Sequence, residues 1–400
     1  MLSSDTARAA SSRGAIASPG SIAIVGSGPS GCYSAQMLKK HWPDAEIVVF
    51  DSSPVPYGLV RYGIAPDHHG NKAVTAQFDR IFDRQGVHFR GGVEIGTDIS
   101  YETLVEAFDV TVLATGREQD RPLAIPTAAE ARIIGAGTIM RALNGFPEHA
   151  GTMQSVGPRV AIVGAGNVAM DVVRMLTAPI DVLRATDIHD ATLSQLRSPS
   201  IERIDVISRS GVDATRFDLA MLREVCQLPG VLISASGPKL DLDHPVAELL
   251  REAARQTSST AAKAIEIRFW FDTVPMRIDT VGNASVLHVR REDTSVEIMA
   301  NTVVTAIGFE HATDRPSQAA VDGRADVFHV GWRRRGAVGG VAANRACARE
   351  VTTAIIECFN SGNVPRKHRK GAEVERILDL HSDRHDPMGV KVPGSSQLRG

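Results

Sequence analysis

The sequence lacks several features that mark common classes of protein. It has four cysteines in 400 residues and no CxxC spacing, which excludes a zinc knuckle and a redox-active dithiol. Its net charge is −2, so nothing in the composition points to a nucleic-acid partner. Its longest apolar stretches are strand-sized and broken by glycine, well short of the ~20 residues that span a bilayer. Residues 1–20 hold no apolar core of about 7–15 residues, which excludes a secretory signal.

The remaining composition is that of an ordinary globular protein, with 43% hydrophobic and 22% charged residues. A chain of 400 residues exceeds the size at which one hydrophobic core stops growing, so we predict two domains. We expect a monomeric cytoplasmic protein with no membrane and no nucleic-acid partner. The organellar matrix is the alternative if residues 1–20 are a presequence and not a flexible leader.

An apolar run that ends in three glycines lies near the start of the chain. Ile22–Val25 predicts a buried strand, and Gly26, Gly28 and Gly31 predict the turn into a helix. In such a turn the first glycine makes the bend, the second admits a pyrophosphate and the third packs the helix on the strand. A glycine-rich turn can also be purely structural. Asp51, at the end of the next predicted strand, favours a dinucleotide site because a carboxylate there accepts ribose hydroxyls.

A second copy of this pattern begins at Gly164 and Gly166, with Ala169 in the place of the third glycine. Two such units in one chain imply two dinucleotides. The strand that follows ends near Arg209 and Ser210 with no carboxylate. An acid there reads the 2′-hydroxyl of NAD and an arginine accommodates the 2′-phosphate of NADP, so Arg209 favours NADP. A single arginine can equally be a solvated surface charge.

The intervening segments predict further strands and helices. A helix is predicted over residues 72–84, and strands over 87–90 and 92–95. Two apolar strands that end in glycine, 109–116 and 301–308, are predicted to carry the chain between the domains. Short alternating strands predict a small antiparallel layer inside the second domain, at residues 265–271, 276–280 and 285–289.

Four stretches together resemble one known family. They are Ile24-Val-Gly-Ser-Gly-Pro-Ser-Gly, Pro56-Tyr-Gly-Leu-Val-Arg-Tyr-Gly-Ile-Ala-Pro-Asp-His, Gly164-Ala-Gly-Asn-Val-Ala-Met-Asp and Val330-Gly-Trp-Arg-Arg-Arg-Gly. Over about residues 20–360 the chain resembles the adrenodoxin-reductase-type ferredoxin–NADP reductases. These are FAD flavoproteins of the glutathione-reductase class, which oxidise NADPH and pass single electrons to a small ferredoxin-type iron–sulfur protein. The resemblance implies that the ferredoxin in turn supplies electrons to a further acceptor, such as a cytochrome P450.

The resemblance implies an α/β fold with two Rossmann-like three-layer dinucleotide-binding domains, of which the FAD domain is discontinuous in sequence. The expected FAD-binding domain comprises residues 21–118 and 309–364, and the expected NAD(P)-binding domain comprises residues 119–308. Residues 1–20 are expected to form a flexible leader, and residues 365–400 a C-terminal appendage with a helix at 372–380.

The resemblance also assigns site residues, and it implies no metal site. Its catalytic pair is His68 and Glu224, which would orient the nicotinamide and relay a proton. Taken alone, each of these two side chains would be regarded as a solvated surface group. The nicotinamide coenzyme would lie on Ala165, Gly166, Asn167 and Val168, with Arg209 and Ser210 at its 2′ end. FAD would lie on Gly26, Gly28, Pro29, Gly31, Asp51, Leu59, Val93, Thr115, Gly116, Trp332, Gly339, Gly340 and Val341.

The chain departs from the family at two positions. Ser210 stands where the family has a second arginine for the 2′-phosphate, and Met221 stands where it often has a glutamate. Losing one charge-assisted phosphate contact costs about 1.5–3 kcal/mol. We therefore expect FAD and NADP as the cofactors. We also expect weak discrimination between NADPH and NADH, so that NAD is an accepted alternative coenzyme.

The identity of the electron acceptor stays open at this point. A ferredoxin is acidic and needs a basic docking face. Candidate residues for that face are Arg174, Arg184, Arg197 and Arg203. The alternatives are an FAD-dependent NAD(P)H reductase of a quinone or other small acceptor, and an inactive flavin-binding protein.

Overall fold

The computed structural model describes residues 18–117, 119–256, 264–310 and 319–367, together with residues 369 and 376. Its strands are β1 Ser21–Val25, β2 Glu46–Asp51, β3 Val87–Gly91, β4 Val110–Leu113, β5 Gln119–Asp120, β6 Ile133–Gly135, β7 Arg159–Val163, β8 Arg203–Ile207, β9 Val231–Ser236, β10 Ile265–Trp270, β11 Val274–Val281, β12 Ala284–Arg291, β13 Thr294–Ala300, β14 Thr302–Thr305, β15 Phe309–Glu310 and β16 Val327–His329. Its helices are α1 Pro29–His41, α2 Leu59–Tyr62, α3 His69–Lys72, α4 Thr75–Arg84, α5 Tyr101–Ala107, α6 Ala136–Leu143, α7 Asn167–Thr177, α8 Ile180–Arg184, α9 Asp190–Leu196, α10 Leu219–Cys226, α11 Pro245–Gln256, α12 Trp332–Arg335 and α13 Val341–Asn360.

The described chain divides into two compact units. The first contains residues 18–57, 76–116 and those from 319 onward, and the second contains residues 58–75 and the described residues between 117 and 310. The first unit is therefore discontinuous in sequence, as predicted for the FAD domain. The chain leaves it after Gly116, at the end of the predicted crossing strand.

Residues 58–75 lie in a different unit from the one that the predicted boundaries gave them. The side-chain amide of Asn144 donates to the backbone carbonyls of Tyr62 at 3.2 Å and Ile64 at 2.9 Å. The ring of Tyr62 meets the ring of Phe146 edge to face, with centroids 4.9 Å apart. These contacts attach the segment to the second unit, and they join residues about 80 positions apart that no local pattern connects.

The first unit is built on a parallel five-stranded sheet in the order β16-β4-β1-β2-β3. All five residues of β1 are buried, as expected for a parallel strand covered on both faces. The helix α1 begins with Pro29 after Gly28, a favourable residue at a first helical position. It ends in Lys39, Lys40 and His41, which suit the negative end of the helix dipole.

A buried ion cluster attaches Lys367 to the first unit, at a position where the sequence predicted a peripheral appendage. Its ammonium donates to the backbone carbonyls of Val105 and Phe108 and to the Asp326 carboxylate at 2.9 Å. Its backbone N–H donates to the buried Asp109. The packing of the first unit thus continues to Lys367, past residue 365, where the C-terminal appendage was predicted to begin. The predicted leader and most of the predicted appendage lie outside the described residues.

The second unit is built on a parallel six-stranded sheet in the order β6-β14-β7-β8-β10-β9. An antiparallel sheet of β11, β12 and β13 accompanies it. The prediction that β10 belongs to the antiparallel layer is wrong. This strand pairs in parallel with β8 and β9, and Arg268 and Trp270 on it both donate to Asp205 of β8, at 2.6 and 2.8 Å.

Local corrections concern the stretch after β2. The predicted strand at 92–95 is wrong, because Gly92 turns the chain with φ +73° and the N–H of Gly96 closes a loop onto the carbonyl of Ile99 at 2.7 Å. The predicted helix at 72–84 divides into α3 and α4. Strands β9 and β13 and the helix α5 were among the elements not predicted from the sequence. The hydroxyl of Ser100 caps α5 by accepting from the N–H of Thr103 at 3.0 Å.

Candidate functional site

The glycines of the first turn, between β1 and α1, have three distinct environments. Gly26 has φ +103°, and a Cβ on it would lie 2.5 Å from the carbonyl oxygen of Ala114. A Cβ on Gly31 would lie 2.0 Å from the carbonyl oxygen of Gly26. A Cβ on Gly28 would meet nothing within 4 Å. The polypeptide itself therefore requires the first and third glycines, whereas the second faces open space.

The turn between β7 and α7 in the second unit repeats this arrangement. A Cβ on Gly164 would lie 2.3 Å from the carbonyl oxygen of Ala306, and a Cβ on Gly166 would meet nothing within 4 Å. Ala169 takes the third place and is fully buried. The side chains of Ala165 and Val168 are partly buried against the core of the second unit.

Both turns fit the pyrophosphate of a dinucleotide. Neither Gly28 nor Gly166, the residues before α1 and α7, can cap its helix with a side chain, so the first N–H groups of both helices are available to an anion. The positive end of each helix dipole adds to this attraction. Open space beside the middle glycine is the feature that a bound phosphate needs and that packing alone does not explain.

Asp51 lies at the end of β2 and is held on both carboxylate oxygens. Oδ2 accepts from the N–H of Ser27 at 2.8 Å and from its hydroxyl at 2.5 Å. Oδ1 accepts from the N–H of Ser53 at 2.9 Å. The N–H of Tyr57 in turn donates to Ser27, and Tyr57 has a left-handed backbone with φ +90°. Asp51 thus links the glycine turn to the loop after β2, and its role toward a ribose stays a prediction.

Other predicted FAD residues surround the same edge of the first sheet. The N–H of Val93 donates to the carbonyl of Asp51 at 3.0 Å. Thr115 and Gly116 lie two and three residues after the end of β4, the neighbour of β1, and a Cβ on Gly116 would meet nothing within 4 Å. Leu59 is the exception, because it begins α2 in the second unit.

The segment after β16 forms a tight loop between two helices. The indole N–H of Trp332, the first residue of α12, donates to the carbonyl of Gly339 at 3.0 Å. Gly340 precedes α13, supplies no side-chain cap and has open space at its Cβ position. Val341 begins the helix. Trp332 is partly buried, so it is not the core aromatic residue that an isolated tryptophan would suggest.

The start of α7 is joined to the start of α10. The amide of Asn167 donates to the carboxylate of Asp218 and accepts from its backbone N–H, both at 2.8 Å. Its side chain is therefore already engaged within the second unit. Arg209 is exposed after β8, and the N–H of Ser210 donates to the hydroxyl of Ser208 at 3.2 Å.

The predicted catalytic pair lies together in the second unit. Nε2 of His68 is 3.8 Å from Oε2 of Glu224, and Nδ1 of His68 is 3.8 Å from Oδ1 of Asp171. These distances are too long for hydrogen bonds, so the pair lies close together without a direct hydrogen bond. The imidazole lies between two carboxylates.

Arg174 joins the residues around His68, although it was predicted as a docking residue and not as part of this site. Its guanidinium holds the carboxylate of Asp67 with two bonds of 2.8 and 3.0 Å. It also donates to Asp171 at 2.8 Å and to Glu224 at 3.0 Å. Its side chain is only 6% exposed, so the prediction that Arg174 belongs to a basic docking face is wrong.

Burial and charge act in opposite directions on this cluster. Burial raises the pKa of Asp171 to about 6, although Arg174 and His68 both favour its ionised form. Burial alone would lower the pKa of Arg174, but its bonds to Asp67 and its charged neighbours raise that pKa overall. Asp171 and Arg174 interrupt the otherwise apolar run Val168–Leu176, and that interruption is the signal by which the sequence could have revealed them.

The other proposed docking arginines are also engaged within the second unit. Arg197 donates to the carbonyl of Ala178 at 2.7 Å, and Arg203 pairs with Asp205 at 3.1 Å. Arg184, at 46% exposure, pairs with Asp190 at 2.6 Å. These four arginines do not form one free basic face.

Among the described residues, no group of histidine, cysteine and acidic side chains could hold a metal ion. No helix in that part of the chain combines the length and apolar character needed to cross a membrane. All four cysteines are free, and burial raises the pKa of the Cys226 thiol to about 12.

Comparison with known proteins gives a consistent result. Residues 20–192 match the family model of the pyridine nucleotide-disulphide oxidoreductases. The chain is 40% identical over 391 residues to cindoxin reductase of Citrobacter braakii, covering 92% of this chain and 84% of that protein. It is 30% identical to the mitochondrial NADPH:adrenodoxin oxidoreductase of Homo sapiens, over 89% of this chain and 82% of the relative.

A solved structure extends the similarity to the fold. The structure of Mycobacterium tuberculosis FprA in complex with NADPH superposes with a TM-score of 0.80 at 26% identity, covering 92% of this chain and 90% of that one. Sequence, glycine geometry and fold therefore agree. The chain belongs to the adrenodoxin-reductase-type ferredoxin–NADP reductases, within the pyridine nucleotide-disulphide oxidoreductases.

Proposed function

We propose that the protein is an FAD-dependent NAD(P)H–ferredoxin oxidoreductase. The observation that carries the proposal is the repeated glycine geometry, in which Gly28 and Gly166 each face open space at the start of a helix. One such turn suits a resident FAD and the other a nicotinamide coenzyme that binds and leaves. FAD, when bound, would accept two electrons from NAD(P)H and release them singly to a ferredoxin-type protein.

The chain's own residues supply binding and orientation. The N–H groups at the start of α1 would hold the FAD pyrophosphate, and those at the start of α7 the coenzyme pyrophosphate. His68, between Asp171 and Glu224, would orient the nicotinamide and hold a proton on its ring. Arg174 fixes this histidine indirectly, because it clamps the adjacent Asp67.

Anaerobic mixing of the FAD-loaded protein with NADPH or NADH tests the reductase activity. Rapid bleaching of the flavin absorbance is expected, and failure with both coenzymes would overturn the proposal. His68→Gln should slow bleaching by roughly 10- to 100-fold if the ring orients the nicotinamide. His41→Gln, an exposed histidine at the end of α1, is the matched control and should not change the rate.

The acceptor is tested separately. Reduction of cytochrome c through a panel of ferredoxins should exceed reduction without ferredoxin. Equal rates in both cases, with direct reduction of quinones instead, would identify a small-acceptor reductase. The expected monomeric state is checked by sedimentation equilibrium of the FAD-loaded protein, and the expected cytoplasmic or organellar location stays a prediction.

A further inference from the structure

The turn after β8 is held by the end of the neighbouring strand β10 and by the residues that follow it. The N–H of Ser208 donates to the carbonyl of Trp270 at 2.8 Å, and the N–H of Thr273 donates to the carbonyl of Ser208 at 2.9 Å. The N–H of Asp272 donates to the carbonyl of Ser210 at 3.1 Å. The segment 271–273 after β10 is thereby fixed against the segment 208–211 after β8.

Two carboxylates meet at Gly211, the residue next to Ser210. A Cβ on Gly211 would lie 2.7 Å from Oδ1 of Asp213 and 2.9 Å from Oδ2 of Asp272. Asp213 pairs with Lys239 at 2.8 Å, so that carboxylate is neutralised locally. The carboxylate of Asp272 accepts no hydrogen bond from the described residues.

The backbone around this turn is held in an uncommon conformation. Asp272 has φ +50° and Lys239 has φ +63°, both in the left-handed region that non-glycine residues rarely occupy. Such positions persist where the surrounding structure imposes them, and they cluster at functional sites. Here the hydrogen bond to Ser210 imposes the position of Asp272 beside the turn.

We propose that Asp272 is a coenzyme-specificity residue, which sets the 2′ end of the nicotinamide coenzyme site to accept NADH together with NADPH. The inference rests on the proposed function, because it assumes that the second glycine turn binds this coenzyme. The 2′ substituent of such a coenzyme lies at the end of the strand after that turn, which is β8. There Arg209 attracts a 2′-phosphate, whereas Asp272 repels it and offers an acceptor to a 2′-hydroxyl.

The charge of Asp272 adds to the effect of Ser210, which stands where the family has a second arginine for the 2′-phosphate. Lys239 forms its ion pair with Asp213, and Asp272 also acts electrostatically on Lys239. Arg209, which precedes Ser210, and Asp272, whose N–H donates to Ser210, carry opposite charges. A 2′-phosphate therefore meets one attraction and one repulsion. A 2′-hydroxyl avoids the repulsion and finds the carboxylate that the end of β8 lacks.

Titration calorimetry of the FAD-loaded protein tests this with NADP⁺, NAD⁺ and 2′,5′-ADP as the probes. In the wild type, NADP⁺ should bind less than about tenfold more tightly than NAD⁺. Asp272→Asn should tighten NADP⁺ and 2′,5′-ADP by about fivefold, the scale of removing one nearby charge from a partly exposed site. It should not tighten NAD⁺. Asparagine tolerates the left-handed backbone, so this variant should fold.

Asp181→Asn removes an exposed acid from α8 and is the control for net charge. Ser210→Arg with Asp272→Asn should restore a preference for NADP⁺ of about 100-fold. The proposal is overturned if Asp272→Asn changes the affinity ratio no more than Asp181→Asn does, or if the wild type already prefers NADP⁺ by more than about tenfold. Coenzyme binding is measured without an acceptor, so failure of electron transfer to a ferredoxin leaves this result unaffected. Absence of binding by both coenzymes would refute the proposed function as well.

Discussion

Removal of the Arg174 charge should move the titration of Asp171 to higher pH. In the native protein, burial raises the pKa of Asp171 to about 6, and Arg174 is the strongest influence in the opposite direction. The Arg174 guanidinium is 2.8 Å from Oδ1 of Asp171. An opposite charge at this range lowers a carboxyl pKa by roughly one to three. Arg174→Met should raise the Asp171 pKa by that amount, so that Asp171 is largely protonated at neutral pH.

Difference infrared spectroscopy of the carboxylic acid carbonyl band measures this directly. Asp171→Asn assigns the band, because the difference spectrum between it and the wild type contains the Asp171 titration. We expect a midpoint near pH 6 in the wild type and a higher midpoint in Arg174→Met. Arg174→Lys retains the charge and should keep the midpoint near the wild-type value. Arg174→Met leaves buried carboxylates unpaired, which costs about 3–5 kcal/mol and can prevent folding. In that case the folded Arg174→Lys variant is compared with the wild type instead.

The sign of the effect on stability follows from the same pKa. The folded pKa of about 6 lies above the ordinary value of 3.8, so the folded state binds a proton more tightly than the unfolded state does. Protonation of Asp171 therefore contributes about 3 kcal/mol to the free energy of unfolding. This contribution is fully present below pH 3.8 and is lost as the pH rises through about 6. An unchanged midpoint in Arg174→Met, or an equal shift in the exposed control Arg184→Met, would refute this account of the cluster.

Other substitutions test the glycine turns and the Lys367 anchor. Gly28→Ala should leave the circular dichroism unchanged and abolish FAD binding, whereas Gly31→Ala should lower the thermal midpoint because its Cβ meets a backbone carbonyl; equal behaviour of the two would contradict the geometry. Gly166→Ala should give a yellow protein that no longer binds NADP⁺ in calorimetry, and unchanged binding would exclude this turn as the coenzyme site. Lys367→Met should lower the midpoint by about 4–8 °C at neutral pH. The loss should shrink in acid, because the lowered pKa of Asp326 contributes stability only where that carboxyl is ionised.

The parts of the fold that sequence predicted well are those with local causes. The spacing of Gly26, Gly28 and Gly31 reflects contacts within one turn, and the apolar run of β1 reflects burial on both faces. The same reasoning found the second turn, whereas the discontinuous first unit was predicted from the family resemblance. Local reasoning failed at residues 92–95, where alternation resembled a strand but Gly92 turns the chain.

Long-range contacts explain the remaining failures. The partner of β10 depends on Asp205, about 60 positions earlier, so alternation alone could not separate it from the antiparallel layer. Residues 58–75 join the second unit through Asn144, which no local pattern indicates. An arginine is usually a surface residue, and the burial of Arg174 becomes favourable only when Asp67 and Glu224, from separate parts of the chain, join Asp171 of its own helix as carboxylate partners.

The two glycine turns differ in where a nearby acid comes from, and under the proposed function the first turn would hold the resident cofactor and the second the exchangeable one. In the first unit, Asp51 ends the strand next to the turn and is held by Ser27 and Ser53, so the acid is part of the framework of the site. In the second unit the corresponding strand ends without an acid, and the neighbouring strand β10 supplies Asp272 through a backbone hydrogen bond to Ser210. Asp51 is hydrogen-bonded to Ser27 of the glycine turn, so replacing it would disturb the geometry of that turn. An acid supplied by a neighbouring strand can change alone, so coenzyme choice can vary in this fold while both pyrophosphate sites stay constant.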